Sequence, residues 1–280
     1  MPLHRYSGSR NEHQPFNRTR EYGPDTLDRK KLYLQLHHDD SLPQEFRLDG
    51  DWGYEFNSLG YRCGEYEPAA EFRIFAVGCS NTLGVGLRTE QTWPSVFTRM
   101  FSNGQPKKTV CLMNFAQGSA SNDYISRTTI TQCEASAPDL LLVNFTGMAR
   151  KEYIDGHKIK NLLPAEKLDD ISRAFYKIYS DEEGILNALK NILLIQLYCE
   201  ARSIRFLFAW GDHRLLTSHY LKHPLCGPLL SMIDRDRFCS YGLKDADVFV
   251  DKARDLVHPG PRSHHIFAGR LYDHFVRNYS

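Results

Sequence analysis

The stretch RIFAVGCSNTLGVGL, Arg73 to Leu87, decides the fold. Arg73–Val77 is a short apolar run, as expected of a strand buried on both faces. Gly78, Cys79 and Ser80 then crowd into a turn, and Gly84 and Gly86 follow. Such a turn either joins a strand to a helix or presents a nucleophile. It is not a phosphate loop, because neither GK[ST] nor the GxGxxG spacing follows.

Three more runs read like the first: Val110–Asn114, Asp139–Phe145 and Arg205–Trp210. Helical stretches separate them. Thr92–Phe101 is one, and Asn122–Glu134, opened by possible N-caps in SASND, is another. In Asp181–Arg202, Leu186, Leu189, Leu193 and Leu197 fall on one helical face. A last helix starts near Ser263 and aligns Phe267, Leu271 and Phe275. This alternation predicts a flavodoxin-like α/β fold, a doubly wound parallel sheet in three layers. Ligands in such folds bind beyond the carboxyl ends of the strands, where the Gly78–Ser80 turn lies. Residues 1–45 are polar and read as an irregular arm. Asp51–Pro68 alternates aromatics with glycines, as short strands and turns do. The expected division is an N-terminal extension over 1–70 and a catalytic domain over 71–280.

The chain has 280 residues, and Lys+Arg 35 against Asp+Glu 34 leaves a net charge of +1. No global field attracts nucleic acid or an anionic membrane. No apolar run reaches the length of a membrane span, and the start lacks the apolar core of a secretory signal. Seven cysteines without CxxC spacing form neither a disulfide framework nor a zinc site. The expectation is a cytoplasmic protein without metal or organic cofactor.

Four segments converge with the first turn on one sheet edge. NFAQGSASND (Asn114–Asp123), NFTGMARKE (Asn144–Glu152) and WGDH (Trp210–His213) each follow a strand, and DLVHPGPRSHH (Asp255–His265) leads into the last helix. A serine hydroxyl is a weak nucleophile until a base takes its proton. The base needs a carboxylate to fix its tautomer, and backbone N–H groups must meet the developing oxyanion. The Asp255-x-x-His258 spacing lets a carboxylate fold back onto one imidazole nitrogen. Taken singly, Ser80 also suits a helix N-cap, Gly118 a simple turn, and His258 a surface position. Cys79 reads as a small packed residue and as the runner-up nucleophile. Asp212 and His213 suit a solvated turn, pocket lining or a rival dyad.

Here the sequence resembles the SGNH (GDSL-type) hydrolases, from about Asn57 to the C-terminus. VGCSNTLGVGL…TWP resembles the nucleophile block, with Cys79 where the family has Asp. NFAQGSASNDYISR resembles the second block and DLVHPGPRSHHIFA the last. NSLGYR, SNDYISR and the Thr146, Arg150, Glu152 set resemble one branch of the group. The resemblance implies Ser80 as nucleophile, His258 as base, Asp255 as orienting acid and Gly118 as an oxyanion donor. Met148 stands where the family has a donating Asn, and methionine donates no hydrogen bond. Thr146, Asn122 and Arg150 are the candidate substitutes. Cys79, Arg150 and His213 are candidate substrate contacts, and Arg150 with Glu152 reads as an ion pair. The expected activity is serine-dependent hydrolysis of a small-molecule or glycan ester. An acyltransferase on the same machinery, or a binding module that keeps the fold, are the alternatives. Oligomeric state is left open.

Overall fold

The computed structural model describes residues 2–8, 10, 12–36, 53–156, 158–164, 169–210, 222–239 and 242–279. A two-stranded antiparallel ribbon, β1 (Arg18–Thr19) with β2 (Tyr54–Glu55), brackets helix α1 (Leu27–Leu36) in sequence. β3 (Phe72–Gly78) leads through the one-turn helix α2 (Ser80–Leu83) to α3 (Trp93–Gly104) and β4 (Val110–Asn114). α4 (Asn122–Ala135) and β5 (Leu140–Phe145) follow, then the hairpin β6 (Lys151–Asp155) and β7 (Lys158–Leu162). α5 (Asp170–Ile178), α6 (Asp181–Ala201), β8 (Arg205–Trp210), α7 (Cys226–Met232) and α8 (Pro261–Tyr279) complete the chain.

The main sheet is parallel, in the order β4-β3-β5-β8. That is the flavodoxin-like order, with the first strand between the second and third. The expected doubly wound sheet is present. Ile74, Ala76, Leu140 and Leu142 face α3 and α8 in one apolar cluster with Phe97 and Phe267. Phe75, Val77, Leu141 and Val143 face α4 and α6 in the other. Both faces are covered, which is why the strands read as unbroken apolar runs rather than alternating ones. Gly78 lies in register with Asn144, so the first and third strands end side by side at the switch point.

Two expectations need correcting. Residues 1–45 contain α1, a ten-residue helix. Its only buried side chain is Tyr33, while Leu27, Leu32 and Leu36 are exposed, so no apolar stripe announces it. α6 buries only part of the Leu186–Leu197 face: Leu189 and Leu193 are buried, Leu186 is half-buried and Leu197 is exposed. The buried residues also include Ile185, Ala188, Ile192, Ile195 and Cys199. α6 is apolar around most of its circumference, so spacing alone does not choose the stripe. Asn191 chooses it, turning inward to Ser126 and to Asp123 Oδ1.

Leu3 and Tyr61, from the first 70 residues, lie in the same apolar cluster as Phe75 and Phe115. All seven cysteines are unpaired, and all but Cys63 are buried. No helix among the described residues is long and apolar enough to cross a membrane.

The core assignment is testable by denaturation. Leu142→Ala should cost about 2–5 kcal/mol, as fully buried leucines do. Leu194→Ala, on the exposed side of α6, should stay within about 0.5 kcal/mol.

Candidate active site

The Gly78–Ser80 turn is built by close packing. β3 ends at Gly78, where a Cβ would lie 2.1 Å from Thr82 Oγ1. Cys79 is extended and caps α2, so Ser80 opens that helix half-buried. Asn114, at the end of β4, donates its side-chain amide to Thr82 O at 3.0 Å and fixes α2 from below.

His258 Nε2 lies 2.8 Å from Ser80 Oγ, and Nδ1 makes a short bond with Asp255 Oδ2. A carboxylate accepts, so Nδ1 carries the proton and Nε2 is left to accept from the serine hydroxyl. Asp255 Oδ1 accepts the N–H groups of Val257 and His258, each at 3.0 Å. Leu256 takes a positive φ of 61° to close this turn, and Ala253 N–H donates to His258 O at 2.8 Å across its base. Burial pushes the Asp255 carboxyl up. The bond and charge of His258 and the two N–H donors outweigh it, so the net shift is downward and the carboxylate form is favoured.

The other candidates group around Cys79 and the end of β5. Burial pushes the Cys79 thiol up, but the Arg150 guanidinium, Thr146 and the Asn81 N–H together hold it below its ordinary value. Cys79 is 4% exposed and packs in the cluster of Val77 and Phe145. Asn122 spends its amide both ways on Thr146, accepting Thr146 N–H at 2.9 Å and donating to Thr146 O at 3.1 Å. It braces the turn after β5. Arg150 donates to Ala120 O at 3.3 Å. The expected Arg150–Glu152 ion pair is not formed: Glu152 pairs with Arg127 at 2.8 Å. Arg150 lies just before β6 and turns its guanidinium to Ala120 O instead. Met148 packs against the apolar cluster. His213 and Asp212 lie outside the described residues. Among the described residues no group of three metal-ligating side chains occurs.

Gly118 sits in the turn after β4, but its N–H donates to the Tyr22 hydroxyl at 3.1 Å. A Cβ at Gly118 would meet Tyr22 Cε1 at 2.6 Å. Tyr22 in turn contacts His13 Nε2 at 2.8 Å, and His13 Nδ1 lies 3.0 Å from Gly60 O. The carbonyl demands a proton on Nδ1, so Nε2 accepts from Tyr22. Burial lowers the His13 pKa to about 3, which keeps the ring neutral.

A buried polar network joins the loop after Ser80 to the loop that holds Asp255 and His258. Arg254 Nε pairs with Asp25 at 2.7 Å, both almost fully buried. Tyr54 donates to Asp25 and accepts Gly86 N–H at 2.7 Å. Arg62 stacks over the Tyr54 ring at 4.4 Å and donates to Leu83 O at 2.9 Å and Gly84 O at 2.7 Å. Arg29 donates to Asp255 O at 3.1 Å. Gly86, at φ 80°, is the point of contact: a Cβ there would lie 2.7 Å from Ala253 Cβ and 3.3 Å from Asp255 N. Sequence reasoning missed Tyr22, His13, Asp25, Tyr54, Arg62 and Arg254. Two signals were available: Arg62 closes the NSLGYR motif, and Arg254 directly precedes Asp255.

Two measurements follow. Gly86→Ala should lower the reactivity of Ser80 toward a fluorophosphonate sharply, because its methyl pushes the two loops apart. Gly156→Ala shares the positive-φ strain, at 61°, but has open space around it; it should lose about 1 kcal/mol of stability and keep that reactivity. Separately, His13 and His264 are both lowered to about 3 by burial. Between pH 6.5 and 3 the unfolded chain binds their protons and the native chain does not. Stability should therefore fall as pH drops through that window, by about 1.4 kcal/mol per pH unit for each histidine. The depressed Asp255 carboxyl adds a loss in the same direction at lower pH. His13→Asn should flatten the slope by one proton in urea titrations across that range.

No family model matches the chain, and no curated protein matches it. Among solved structures it is similar to the psychrotrophic esterase EstA from Pseudoalteromonas sp., at 11% identity over 74% of this chain and 98% of that one, TM-score 0.46. It is also similar to a catalytic mutant of Axe2, an acetylxylan esterase from Geobacillus stearothermophilus, at 13% identity over 73% and 94%, TM-score 0.43. A third is the lipase Lip_vut3 from a goat rumen metagenome, at 15% identity over 72% and 97%, TM-score 0.41.

Proposed function

We propose that the chain is a serine esterase of the SGNH type, acting on a small-molecule or glycan ester. The observation that carries this reading is the continuous chain of hydrogen bonds from Asp255 through His258 to Ser80. Ser80 Oγ attacks the ester carbonyl carbon while its proton passes to His258 Nε2. The carbonyl π pair moves onto oxygen, and backbone N–H groups at Ser80 and in the Gln117–Ala120 turn meet that charge. Asp255 stabilises the imidazolium, which then protonates the leaving alkoxide. Water, deprotonated by His258, attacks the acyl carbon, and Ser80 departs with the proton. Met148 offers no donor to the oxyanion, and loss of one donor costs about 10²–10³ in rate, so slow turnover is expected.

Cys79 belongs to the packing in this reading. Its lowered pKa supports a thiol nucleophile as the competing assignment, but no hydrogen bond joins it to His258, whereas one joins His258 to Ser80.

The test is turnover of a short-chain aryl ester, with a fluorophosphonate probe and intact-protein mass. Ser80→Ala should abolish labelling and turnover, and His258→Ala should cost about 10²–10⁴ in rate. Asp255→Asn should be severe, because the amide no longer fixes the tautomer. Cys79→Ala should stay active. A dead Cys79→Ala beside a fully active Ser80→Ala would replace the serine by the thiol. An unreactive wild type would favour a binding module on the same fold.

A further inference from the structure

The turn after β4 contains four backbone N–H groups, and three are committed. Gln117 N–H donates to Gly78 O at 3.2 Å, which docks the turn on the residue two before Ser80. Gly118 N–H donates to Tyr22 Oη at 3.1 Å. Ala120 N–H donates to Gln117 O at 3.3 Å. Ser119 N–H has no acceptor among the described residues, and Ser119 is half-buried where its neighbours are buried.

Ser119 also adopts a positive φ of 66°. A non-glycine residue costs about 1–2 kcal/mol there, and the surroundings hold it in place. Arg10 Nη2 donates to Ser119 Oγ at 2.9 Å. Tyr6 donates to Gln117 Oε1 at 2.6 Å. The Tyr22–His13 pair, both 2% exposed, holds Gly118. Each of the three turn residues is therefore gripped by a different side chain from the N-terminal arm. A backbone N–H makes one good hydrogen bond at a time, so to meet an oxyanion Gly118 would have to leave Tyr22, whose buried hydroxyl would lose the bond it accepts. That exchange costs about 1–3 kcal/mol for each group left unpaired. Ser119 pays no such cost.

We propose that Ser119, through its backbone N–H, is the donor from this turn that meets the oxyanion of the Ser80 adduct, and that Gly118 is a positioning residue locked onto Tyr22. The proposal rests on the serine-esterase reading above. As the Ser80 Oγ–carbon bond forms and the carbonyl pair moves to oxygen, the Ser119 N–H hydrogen-bonds that oxygen, and His258 holds the proton. The left-handed backbone at Ser119 is the local conformation in which this N–H is left without an acceptor among the described residues.

Backbone esters in the full chain test it, since replacing an amino acid by its α-hydroxy counterpart removes one N–H and leaves the side chain. Lactic acid at 119 is compared with Ser119→Ala, and glycolic acid at 118 with the wild type. The readouts are acylation of Ser80 by an aryl ester, the kcat and KM split, and the thermal midpoint. The ester at 119 should slow acylation by about 10²–10³ with little change in KM. The ester at 118 should lower the thermal midpoint and slow acylation far less than the ester at 119. Tyr22→Phe provides a second measurement: it should lower stability with kcat unchanged. Loss of acylation at 118 with none at 119 overturns the proposal, as does a rise in kcat on Tyr22→Phe, which would mean that the freed Gly118 N–H serves the oxyanion. Absence of Ser80 acylation in the wild type overturns the esterase reading and this proposal together; dependence on 118 overturns this proposal alone.

Discussion

The pair between Asp25 and Arg254 is the constraint on which the candidate site depends. Both groups are almost fully buried, and Tyr54 shares the carboxylate. A buried ion pair gains little over an apolar packing of the same volume, but losing one partner leaves a bare charge and costs about 3–5 kcal/mol. Its value here is positional. Arg254 is the neighbour of Asp255, and Tyr54 holds Gly86 on the loop after Ser80. Arg62 pins the carbonyls at the end of α2. The 2.8 Å between His258 and Ser80 is thus set by groups that touch neither residue.

The strands were legible because a parallel sheet covered on both faces needs unbroken apolar runs. Ser80, Asp255 and His258 were legible because each sits in a short local motif. Asp255 reaches His258 within one turn, so spacing alone suggested the contact. The bracing groups were not legible, because their partners are distant: Gly118 meets Tyr22, and Asp25 meets Arg254. A sequence read by local pattern sees a tyrosine and an aspartate in a polar arm. The ion pair assigned within Arg150–Glu152 failed for the same reason, since the partner of Glu152 is Arg127 on α4. On α6 the leucine spacing was met at Leu189 and Leu193 and missed at Leu197, because Asn191 turns an adjacent stripe inward.

Cys79 and Met148 share an apolar setting. The Cys79 thiol lies among apolar side chains and near Thr146. The Met148 thioether packs on the core. The Asn122 amide is fully engaged, since both of its ends are spent on the backbone of Thr146.

The distance along the chain between Asp25 and Arg254 has a consequence for biosynthesis. The two are 229 residues apart, so their contact closes a loop spanning most of the chain. The apolar strands β3, β4 and β5 leave the ribosome well before Arg254 does. The sheet can begin to collapse while the loop that holds Asp255 and His258 is still untranslated, and during that interval Asp25 has no Arg254 to face. A ribosome stalled before residue 254 would display the strands β3, β4 and β5 with Ser80 lacking its His258 partner.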